Sequence, residues 1–587
     1  MKKILYLVLT VLFCCSCSNF LERDPENDVS SDAFFNSEND LKLYTNSFIN
    51  SLLDIDDFTY GDQYTDVVST NSSTNYFRAG WNANQQGGWS WGDLRSINYM
   101  LDNMKKAKGK VSDVVYNHYE GVARFWRARF YYDMVKNFGG VPWYDHVLNN
   151  TDSLGLYKKR DSRQVVMSKI LEDLNFASSN CLAAAEYTRS STRISKYVAL
   201  ALKSRICLYE GTYRKYHTEL SLDSADYYLR ESIKASEEIM NSKVYSLVDV
   251  AANRGIQYRA LFNSQDLNTQ EVIFGMAYAA DVRMHSVTWD MMSASAGKNW
   301  GFARQFANMY LMRDGSRFTD KSNYNSMTYK DEFVNRDMRM SQTILPPDYT
   351  RKSASGAVYQ YAPNMKVSYT GYQPIKWVID DDNYTAKANS YNSIPIFRYA
   401  EILLNEAEAK AELGEMDQTV WNKTIKLLRD RAGVDASVPA TYDSYLASYY
   451  LNQTTDKWIL EVRRERAIEL AFESVRYDDL MRWKMGQLMT NNYQGIYIPA
   501  KNVLMDLNGD GVNDLYVSDN AYKGTKDGKA VYITIGSSTD FIRLDGVNHL
   551  MHGALQNRMW DDKMYLHPIP SSAILKNSDL EQNSGWK

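Results

Sequence analysis

Cysteine is scarce in this chain, and its distribution excludes a disulfide framework. Only five cysteines occur in 587 residues, and three of them fall within the first 17 positions. Cys181 and Cys207 are the only thiols in the rest of the chain. Two cysteines form at most one bridge, so a disulfide-stabilised fold is excluded, while a single bridge between this pair stays open.

Long apolar runs and basic clusters are lacking as well. After the N-terminal segment, no stretch approaches the roughly 18 uninterrupted apolar residues of a membrane-spanning helix. The chain carries 67 Lys and Arg against 71 Asp and Glu, a formal net charge of -4, with no basic run or stripe. We therefore expect a body that does not cross a membrane and a protein without a nucleic-acid partner.

Signatures of catalysis are also missing. The seven histidines show no HExxH or His-x-His spacing, and neither a G-x-S-x-G turn nor a P-loop occurs. Glu465, Glu469 and Glu473 lie four residues apart on one predicted helix, and a glycosidase would need two such carboxylates in a cleft. Three arginines within 466–482 favour a structural ion-pair network instead. A surface glycoside hydrolase remains the alternative from another functional class.

Aromatic side chains with a polar tip are abundant. The chain has 44 tyrosines against 20 phenylalanines, together with 13 tryptophans. Such amphipathic rings suit surfaces that are partly wet and partly apolar. Carbohydrate binding and a large protein interface both use surfaces of this kind.

The N-terminus resembles a bacterial lipoprotein signal. Lys2 and Lys3 precede an apolar stretch from Ile4 to Phe13, which is too short to span a bilayer but suits a signal peptide. Ser16 before Cys17 is the best cleavage boundary. We expect residues 1–16 to be removed and Cys17 to become the lipidated first residue, with an ordinary cleaved signal as the alternative.

Helical periodicity dominates the rest of the sequence and predicts a mainly α fold. The predicted helices cover 92–107, 113–137, 162–180, 193–211, 224–241, 398–414, 418–432, 456–473 and 475–487. They cluster in 92–241 and 398–487, where helix pairs joined by short turns suggest a TPR-like repeat. The regions 245–395 and 489–560 are irregular, and loops of such length usually carry function.

Six segments in a fixed order together resemble the SusD/RagB family of Bacteroidetes outer-membrane lipoproteins. They are "EGVARFWRARFYYDMVKNFGGVPWY" (120–144), "RDSRQVVMSKILEDLNFA" (160–177), "PIFRYAEILLNEAEAKAELG" (395–414), "LLRDRAGV" (427–434), "ERAIELAFESVRYDDLMRW" (465–483) and "YLHPIPSSAILKNSDLEQNSGW" (565–586). The resemblance extends over residues 17–587, the whole chain after the predicted signal.

This resemblance implies a SusD-like fold with about four TPR-like helix pairs and a loop-rich binding region at about 245–395. It implies a lipid anchor on the outer face of the outer membrane and a partner, a SusC-like TonB-dependent transporter that the lipoprotein covers as a lid. The implied role is nutrient uptake by capture of glycan fragments, without catalysis and without a cofactor for activity. Capture of oligopeptides, as in the RagB branch, is the alternative within the same architecture.

The segment "WNANQQGGWSW" (81–91) is the first candidate for the glycan site. Indole faces stack on the apolar faces of sugar rings, and amides bind hydroxyl groups. We therefore expect Trp81, Asn82, Gln86 and Trp89 to contact glycan. Trp91 falls at the start of the next helix, where the family places a packing tryptophan.

Further candidates for glycan binding lie in other irregular segments. Trp289, Trp300 and Arg304 fall in the region that the family uses to build its binding site. Tyr64 and Asp66 lie in "YGDQYTDVVSTN" and are expected as polar neighbours.

The segment "DLNGDGVNDLYV" (506–517) follows the pattern of a calcium loop. Ligand positions 1, 3, 5, 7 and 9 are filled by Asp506, Asn508, Asp510, the carbonyl of Val512, and Asp514. Position 12 is Val517 rather than the usual glutamate, so another carboxylate such as Asp519 would have to complete the ligand shell. We expect a structural calcium ion here, with a metal-free turn as the alternative.

Overall fold

Helices form the scaffold of the chain, and they lie close to the positions predicted from the hydrophobic periodicity. The computed structural model describes residues 34–71, 75–78, 80–149, 151–188, 190–537, 542–552 and 558–586. The predicted signal peptide, residues 1–16, and Cys17 lie outside these described residues.

The α-helices of the described residues fall into two series. The first comprises α1 (Glu38–Leu52), α2 (Asp56–Thr59), α3 (Gly92–Asn103), α4 (Asp113–Phe138), α5 (Ser153–Leu156), α6 (Arg163–Asn180), α7 (Ala185–Thr188), α8 (Lys196–Tyr216), α9 (Ala225–Ser242) and α10 (Gln257–Asn263). The second comprises α11 (Val287–Met292), α12 (Arg304–Ala307), α13 (Tyr329–Glu332), α14 (Met340–Thr343), α15 (Tyr399–Glu412), α16 (Gln418–Lys423), α17 (Ile425–Arg431), α18 (Ser444–Tyr449), α19 (Lys457–Glu469), α20 (Arg476–Arg482) and α21 (Ser571–Lys576).

Strands are short and form small sheets. They are β1 (Val68–Ser69), β2 (Val272–Met276), β3 (Gly301–Phe302), β4 (Thr350–Lys352), β5 (Val358–Gln360), β6 (Ile394–Arg398), β7 (Gln494–Tyr497), β8 (Leu504–Met505), β9 (Leu515–Ser518), β10 (Val531–Thr534), β11 (Ile542–Leu544) and β12 (His549–His552). Antiparallel pairs join β1 to β3, β2 to β6, and β4 to β5. The described part of 494–552 holds two three-stranded sheets, ordered β10-β9-β8 and β11-β12-β7.

The bounds of α4 show how the sequence sets a helix. At its start, the Ser112 hydroxyl accepts a hydrogen bond from the Val115 amide at 3.3 Å, a normal N-cap. At its end, Gly139 has φ 74°, in the region that favours glycine. A Cβ on Gly140 would lie 2.4 Å from the Asp161 carbonyl oxygen, so only glycine fits beside the backbone of Asp161. The Gly139–Gly140 pair therefore turns the chain sharply towards Pro142.

Two predicted helix bounds are wrong for reasons of packing. The helix predicted over 193–211 continues as α8 to Tyr216, because Gly211 does not end it. Instead Gly211 lets α8 approach α9 closely, since a Cβ there would lie 2.8 Å from Leu229 Cγ. The helix predicted over 418–432 is interrupted at Thr424, whose backbone angles (φ -130°, ψ -91°) are not helical.

Consecutive long helices pack in pairs around one main core. Helix α4 lies along α6, α8 lies along α9, and α15 contacts both α9 and α19. At the α4–α6 crossing, a Cβ on Gly121 would come within 3.4 Å of the Ala177 Cα. This architecture confirms the mainly α prediction, and its paired helices are consistent with the TPR-like arrangement. The irregular region 245–395 is packed against these helices through β2, which pairs with β6 directly before α15.

The structure shows the state of Cys181 and Cys207 and the character of the described helices. Both cysteines are free and buried, so they do not form a disulfide bridge with each other. Within the part of the chain that the structure describes, no helix combines the length and apolar character needed to cross a membrane.

A buried network of ion pairs joins the helical scaffold to the irregular region. Glu469 at the end of α19 accepts from Arg398 at 2.8 Å, from Arg339 at 3.1 Å, and from Arg431. All of these side chains are buried. Burial opposes ionisation of Glu469, but the charges of Arg431, Arg398 and Arg339 hold its pKa well below the usual range. Glu469 therefore stays ionised and connects α19, α17, β6 and the segment before α14.

The neighbouring glutamates are engaged in the same way. Glu465 accepts from Arg429 at 2.6 Å and from Arg339 at 2.9 Å, and Glu473 accepts from Lys376 at 2.6 Å. These contacts confirm the interpretation of the glutamates as ion-pair partners. They leave no free carboxylate pair in this part of the chain.

Glu469→Gln should lower the free energy of unfolding by about 3–5 kcal/mol, because it leaves buried guanidinium groups without their counter-charge. Chemical denaturation followed by circular dichroism measures this effect. Glu172→Gln is the matched control, since Glu172 is exposed on α6 and pairs only with Lys169 at 2.8 Å. The control should unfold like the wild type. Equal unfolding of both variants would contradict a supporting role for the network.

Candidate functional site

A cavity of about 930 Å³ lies between the N-terminal helices and the end of the chain. Its walls are residues 86–92 with the first turns of α3, the loop 142–149, Leu156 of α5, and the segment 570–580 that contains α21. We call it the Trp89 cavity. It is of the size that small-molecule and oligosaccharide ligands occupy in proteins, roughly 300–1,000 Å³.

Two indole rings form part of the wall. Trp89 is partly exposed and meets Trp91 edge-on, with ring centroids 5.5 Å apart. Behind it lies Phe138, the last residue of α4, at 5.0 Å. Trp91 packs more widely, with Phe130 at 5.8 Å and Tyr144 at 5.4 Å. Trp89 thus faces the cavity on a rigid aromatic support. Trp91, expected as a packing residue, packs against these rings but is also partly exposed and lines the cavity.

Polar side chains that are buried or half-buried fix the loop 142–149. The Asn98 amide nitrogen donates to the carbonyls of Tyr144 at 3.0 Å and His146 at 3.2 Å. The Asp102 carboxylate accepts from the Val147 amide at 2.9 Å. Burial raises the pKa of Tyr144 to about 12, so its hydroxyl stays protonated and donates to the Gly155 carbonyl at 3.0 Å. The loop is therefore preformed rather than dependent on a ligand.

The end of the chain closes the cavity from another side. The Ser571 amide donates to the Ala83 carbonyl at 3.0 Å, and the Asn577 side chain donates to the Lys158 carbonyl at 3.0 Å. Arg160 donates to the Glu581 carbonyl at 2.8 Å and to the Asn583 side-chain oxygen at 2.7 Å. These bonds hold α21 and the residues after it against loops that lie hundreds of residues earlier in sequence.

The charged side chains that line the cavity are of one sign. Arg95 and Lys576 are among its lining residues, and none of the described lining residues is an aspartate or a glutamate. A hydrogen bond from His146, at 2.9 Å, lowers the pKa of the nearby Asp145 carboxyl. Aromatic faces, amides, hydroxyl groups and fixed cations can bind and orient a polar ligand. They do not supply the paired carboxylates of a glycosidase.

The segment 81–91 contributes to the cavity only in its second half. Gln86 and Trp89 line it, whereas Trp81 and Asn82 do not. The Trp81 indole nitrogen donates to the Gln86 side-chain oxygen at 3.3 Å, and its ring meets Tyr76 at 6.0 Å. Asn82 donates to the Gly80 carbonyl at 3.1 Å and accepts from the Asn84 amide at 3.0 Å. Trp81 and Asn82 therefore support the conformation of the loop beside the cavity.

The structure corrects the prediction for Asp66 and does not bring Tyr64 to the cavity. Asp66 is 3% exposed and binds the Arg476 guanidinium through both oxygens, at 2.9 and 2.6 Å. A buried carboxylate so engaged holds the fold and is not free to bind sugar hydroxyls. Tyr64 is half-buried with φ 70° and does not line the Trp89 cavity.

Trp300 and Arg304 are corrected for the same reason. Trp300 is 1% exposed, with its ring between Tyr60 at 4.9 Å and Phe472 at 5.2 Å. Arg304 is 1% exposed and donates to Glu332 at 2.7 Å. Neither side chain offers a face to a ligand. Trp289 is half-buried on α11 and does not line the Trp89 cavity, so the structure does not bring it together with Trp89 and Gln86.

The loop 506–514 is folded around its own acidic side chains. Asp506 accepts from the Gly509 amide at 2.6 Å and from the Gly511 amide at 2.8 Å, and Asp514 accepts from the Leu507 amide at 2.8 Å. Burial, with the charges of Asp510 and Asp506, raises the pKa of Asp514 to about 6.

The donor set of this loop fits a calcium shell only in part. Asn508 and Asp510 accept from the amides of Asp510 and Val512, at 3.2 and 2.8 Å. Asp519, the residue expected to complete the shell, pairs with Lys501 at 2.7 Å. In the described ranges, no group of three or more His, Cys, Asp or Glu side chains is arranged to hold a metal ion. A cation bound in the loop would relieve the repulsion of Asp514 by Asp510 and Asp506.

Most of the walls of the cavity were not predicted from the sequence. The segment 570–580 lies within residues 565–586, which carry the family resemblance, as do residues 142–144 of the loop 142–149, but none of them was assigned a part in binding. Arg95, Lys576 and Asn577 are ordinary helix-surface or turn residues by sequence. They come together because the C-terminal segment folds back onto Ala83 and Lys158.

Comparison with known proteins identifies relatives over nearly the whole chain. A family model described as "SusD family" matches residues 270–586, and one described as "Starch-binding associating with outer membrane" matches residues 19–208. The SusD-like protein P25 of Formosa agariphila is 23% identical over 525 residues, which cover 82% of this chain and 90% of the relative. SusD-like protein P2 of the same organism is 23% identical over 513 residues, covering 82% of this chain and 91% of that protein.

Solved structures share the fold at lower identity. A SusD-like protein from Bacteroides fragilis superposes with a TM-score of 0.69 at 22% identity, covering 96% of this chain and 100% of the other. A second structure from that organism, titled a SusD-like carbohydrate binding protein, superposes with a TM-score of 0.68 at 19% identity over 93% of this chain and 100% of the other. At such identities the likeness establishes the architecture alone.

Proposed function

The chain belongs to the SusD family, and from this membership we propose that it is a non-catalytic glycan-binding protein that captures oligosaccharides or polysaccharides in the Trp89 cavity. One observation carries the proposal. The cavity combines a partly exposed indole on a rigid support with amide, hydroxyl and cationic groups, which is the chemistry that sugar rings and their hydroxyls require. The carboxylate pair that a glycosidase would use has no counterpart among the described lining residues.

We propose further that the protein is a lipoprotein of the cell surface and covers a SusC-like TonB-dependent transporter as its lid. Support comes from the signal-like N-terminus with Ser16 before Cys17. It comes also from the match of residues 19–208 to a family model named for association with the outer membrane. A lid that holds glycan beside a transporter would deliver it without chemistry of its own.

Trp89→Ala should weaken binding to the cognate glycan roughly thirtyfold, a loss of about 2 kcal/mol, because it removes the main stacking surface. Affinity gel electrophoresis against a polysaccharide panel finds the glycan, and calorimetry with its oligosaccharides measures the affinity. Trp289→Ala is the control, since that indole is also half-buried but lies outside the cavity. It should bind normally.

Trp300→Ala separates binding from folding in the same series. Truncation of this core indole should cost about 3–5 kcal/mol of stability, whereas Trp89→Ala should keep the helical circular dichroism of the wild type. If Trp89→Ala binds every glycan as well as Trp289→Ala does, the site is elsewhere. Retention of oligopeptides and of no polysaccharide would favour the peptide-capturing alternative.

Cys17→Ala should abolish acylation and release the protein from the outer membrane, because a multiply acylated terminus is what anchors it. Labelling with a fatty-acid analogue and membrane fractionation measure both effects. Cys15→Ala is the matched control and should stay anchored. The anchored wild type, solubilised in detergent and purified, should carry a TonB-dependent barrel with it. Full membrane retention of Cys17→Ala, with no acyl label on the wild type, would contradict this assignment.

The proposed calcium ion makes a separate prediction. Chelation should lower the melting temperature, because a ligand at a hundredfold excess over its dissociation constant stabilises the fold by about 3 kcal/mol. Asp510→Asn should remove that sensitivity without changing the shape of the side chain. Identical melting curves of the wild type with chelator and with added calcium would show that the loop 506–514 folds as a metal-free turn.

A further inference from the structure

We infer that the glycan taken by the Trp89 cavity is anionic, with carboxylate or sulfate groups on its sugars. This inference rests on the proposed function and names the substrate class of the same site. The observation behind it is the charge of the walls: Arg95 and Lys576 line the cavity, and no described lining residue carries a carboxylate. The chain as a whole has a formal net charge of -4. A cavity whose charged lining residues are all cations therefore differs from the average charge of the protein.

Arg95 is held in place with most of its donors unused. It lies on the first turn of α3, is exposed, and donates one hydrogen bond, to the Leu148 carbonyl at 3.2 Å. A guanidinium group has five N–H donors in a planar fork that matches a carboxylate or sulfate. Arg95 forms no ion pair with any described residue. The bond to Leu148 orients the group without neutralising it.

Lys576 brings a second cation from a different wall. It is the last residue of α21, it is exposed, and its ammonium group likewise lacks a carboxylate partner in the described ranges of the chain. Helix α21 is fixed by the bonds of Ser571 and Asn577 described above, so the base of this side chain is positioned. The two cations therefore reach the cavity from elements that the fold holds firmly.

Four acidic side chains near the cavity are engaged with other groups. Asp145 binds His146 at 2.9 Å, Asp161 binds Lys158 at 2.7 Å, Asp152 caps α5 through the Gly155 amide at 3.0 Å, and Asp102 accepts from the Val147 amide at 2.9 Å. None of them lines the cavity. A buried arginine such as Arg127 is neutralised directly, by Asp173 at 2.7 Å. Arg95 and Lys576 have no such carboxylate partner among the described residues.

A sugar that carries acidic groups has a partner for each kind of group in the cavity wall. Its ring faces can stack against Trp89, its hydroxyls can bind Gln86 and the loop 142–149, and its carboxylates or sulfates can bind Arg95 or Lys576. Charge-assisted hydrogen bonds of this kind are shorter and stronger than neutral ones. A neutral glycan would have only hydroxyl groups to offer these two cations.

The test uses matched polysaccharides that differ only in charge. The probes are polygalacturonate against its methyl ester, and dextran sulfate against dextran, together with alginate, hyaluronan and chondroitin sulfate and with neutral starch, xylan and galactomannan. The wild type should retain at least one anionic polysaccharide, and esterification or removal of sulfate should weaken binding roughly tenfold or more. The two pairs distinguish a carboxylate ligand from a sulfate ligand.

Variants locate the recognition in the cavity. Arg95→Gln and Lys576→Gln should each weaken binding of the retained anionic polysaccharide about 3- to 30-fold, and added salt should weaken the wild type more than either variant. Lys523→Gln is the control, because it changes the net charge equally at an exposed lysine outside the cavity. Calorimetry with oligosaccharides of the retained polysaccharide avoids effects of net charge on electrophoretic mobility.

The outcomes separate this inference from the proposed function. Retention of neutral polysaccharides that depends on Trp89 but not on charge would overturn the anionic class and leave glycan capture standing. Anionic binding that Arg95→Gln and Lys576→Gln change no more than Lys523→Gln does would overturn recognition of charge in the cavity. Retention of no polysaccharide of either kind would overturn both.

Discussion

The pairing of buried guanidinium groups is the constraint on which the arrangement of this protein depends. A buried arginine is tolerated only when carboxylates or carbonyls satisfy it, and those partners come from segments far apart in sequence. Glu469 accepts hydrogen bonds from Arg398, Arg431 and Arg339, which lie in three different segments. Asp66 binds Arg476, 410 residues later in the chain. Each such bond fixes an irregular segment to a helix. Long loops can therefore hold a defined shape without regular secondary structure.

The Trp89 cavity is also held by bonds between distant segments, but these are hydrogen bonds rather than buried ion pairs. Its walls come from the start of α3, the loop 142–149 and the end of the chain, and hydrogen bonds from Asn98 and Arg160 join these parts. Because the walls are preformed, a ligand does not have to order them, and affinity is not lost to that ordering. The chemistry of the walls suits capture of a polar molecule with apolar faces.

Much of the scaffold was predictable from the sequence, because amphipathic periodicity and helix caps are local signals. The predicted 113–137 became α4 at Asp113–Phe138, and the predicted 224–241 became α9 at Ala225–Ser242. The prediction of helix ends failed where a tertiary contact determines the sequence. Gly211 is an example, because it allows close packing of two helices and does not form a turn. The glutamates 465, 469 and 473 form ion pairs as predicted, but their partners come from distant segments, as Arg398 does for Glu469. The arginines that follow them in sequence bind other carboxylates, since Arg476 pairs with Asp66 and Arg482 with Glu408.

The candidate site was predictable only in part. Trp89 and Gln86 were identified because aromatic and amide residues cluster within one short segment. Trp300 and Arg304 look equally suitable in sequence, and only the three-dimensional packing shows that they are buried. The opposite wall, with Lys576 and Asn577, could not be assigned, because a contact between residues more than 400 positions apart produces no pattern in the local sequence.

The most direct measurement of the central claim is a crystal structure of the protein with an oligosaccharide cut from the polysaccharide that it retains. The account predicts a sugar ring against the Trp89 indole, between residues 86–92 and α21, with an acidic group facing Arg95 and Lys576. The walls of the cavity should move little from their positions in the free protein. A sugar bound at another surface, with the Trp89 cavity filled only by water, would contradict the account.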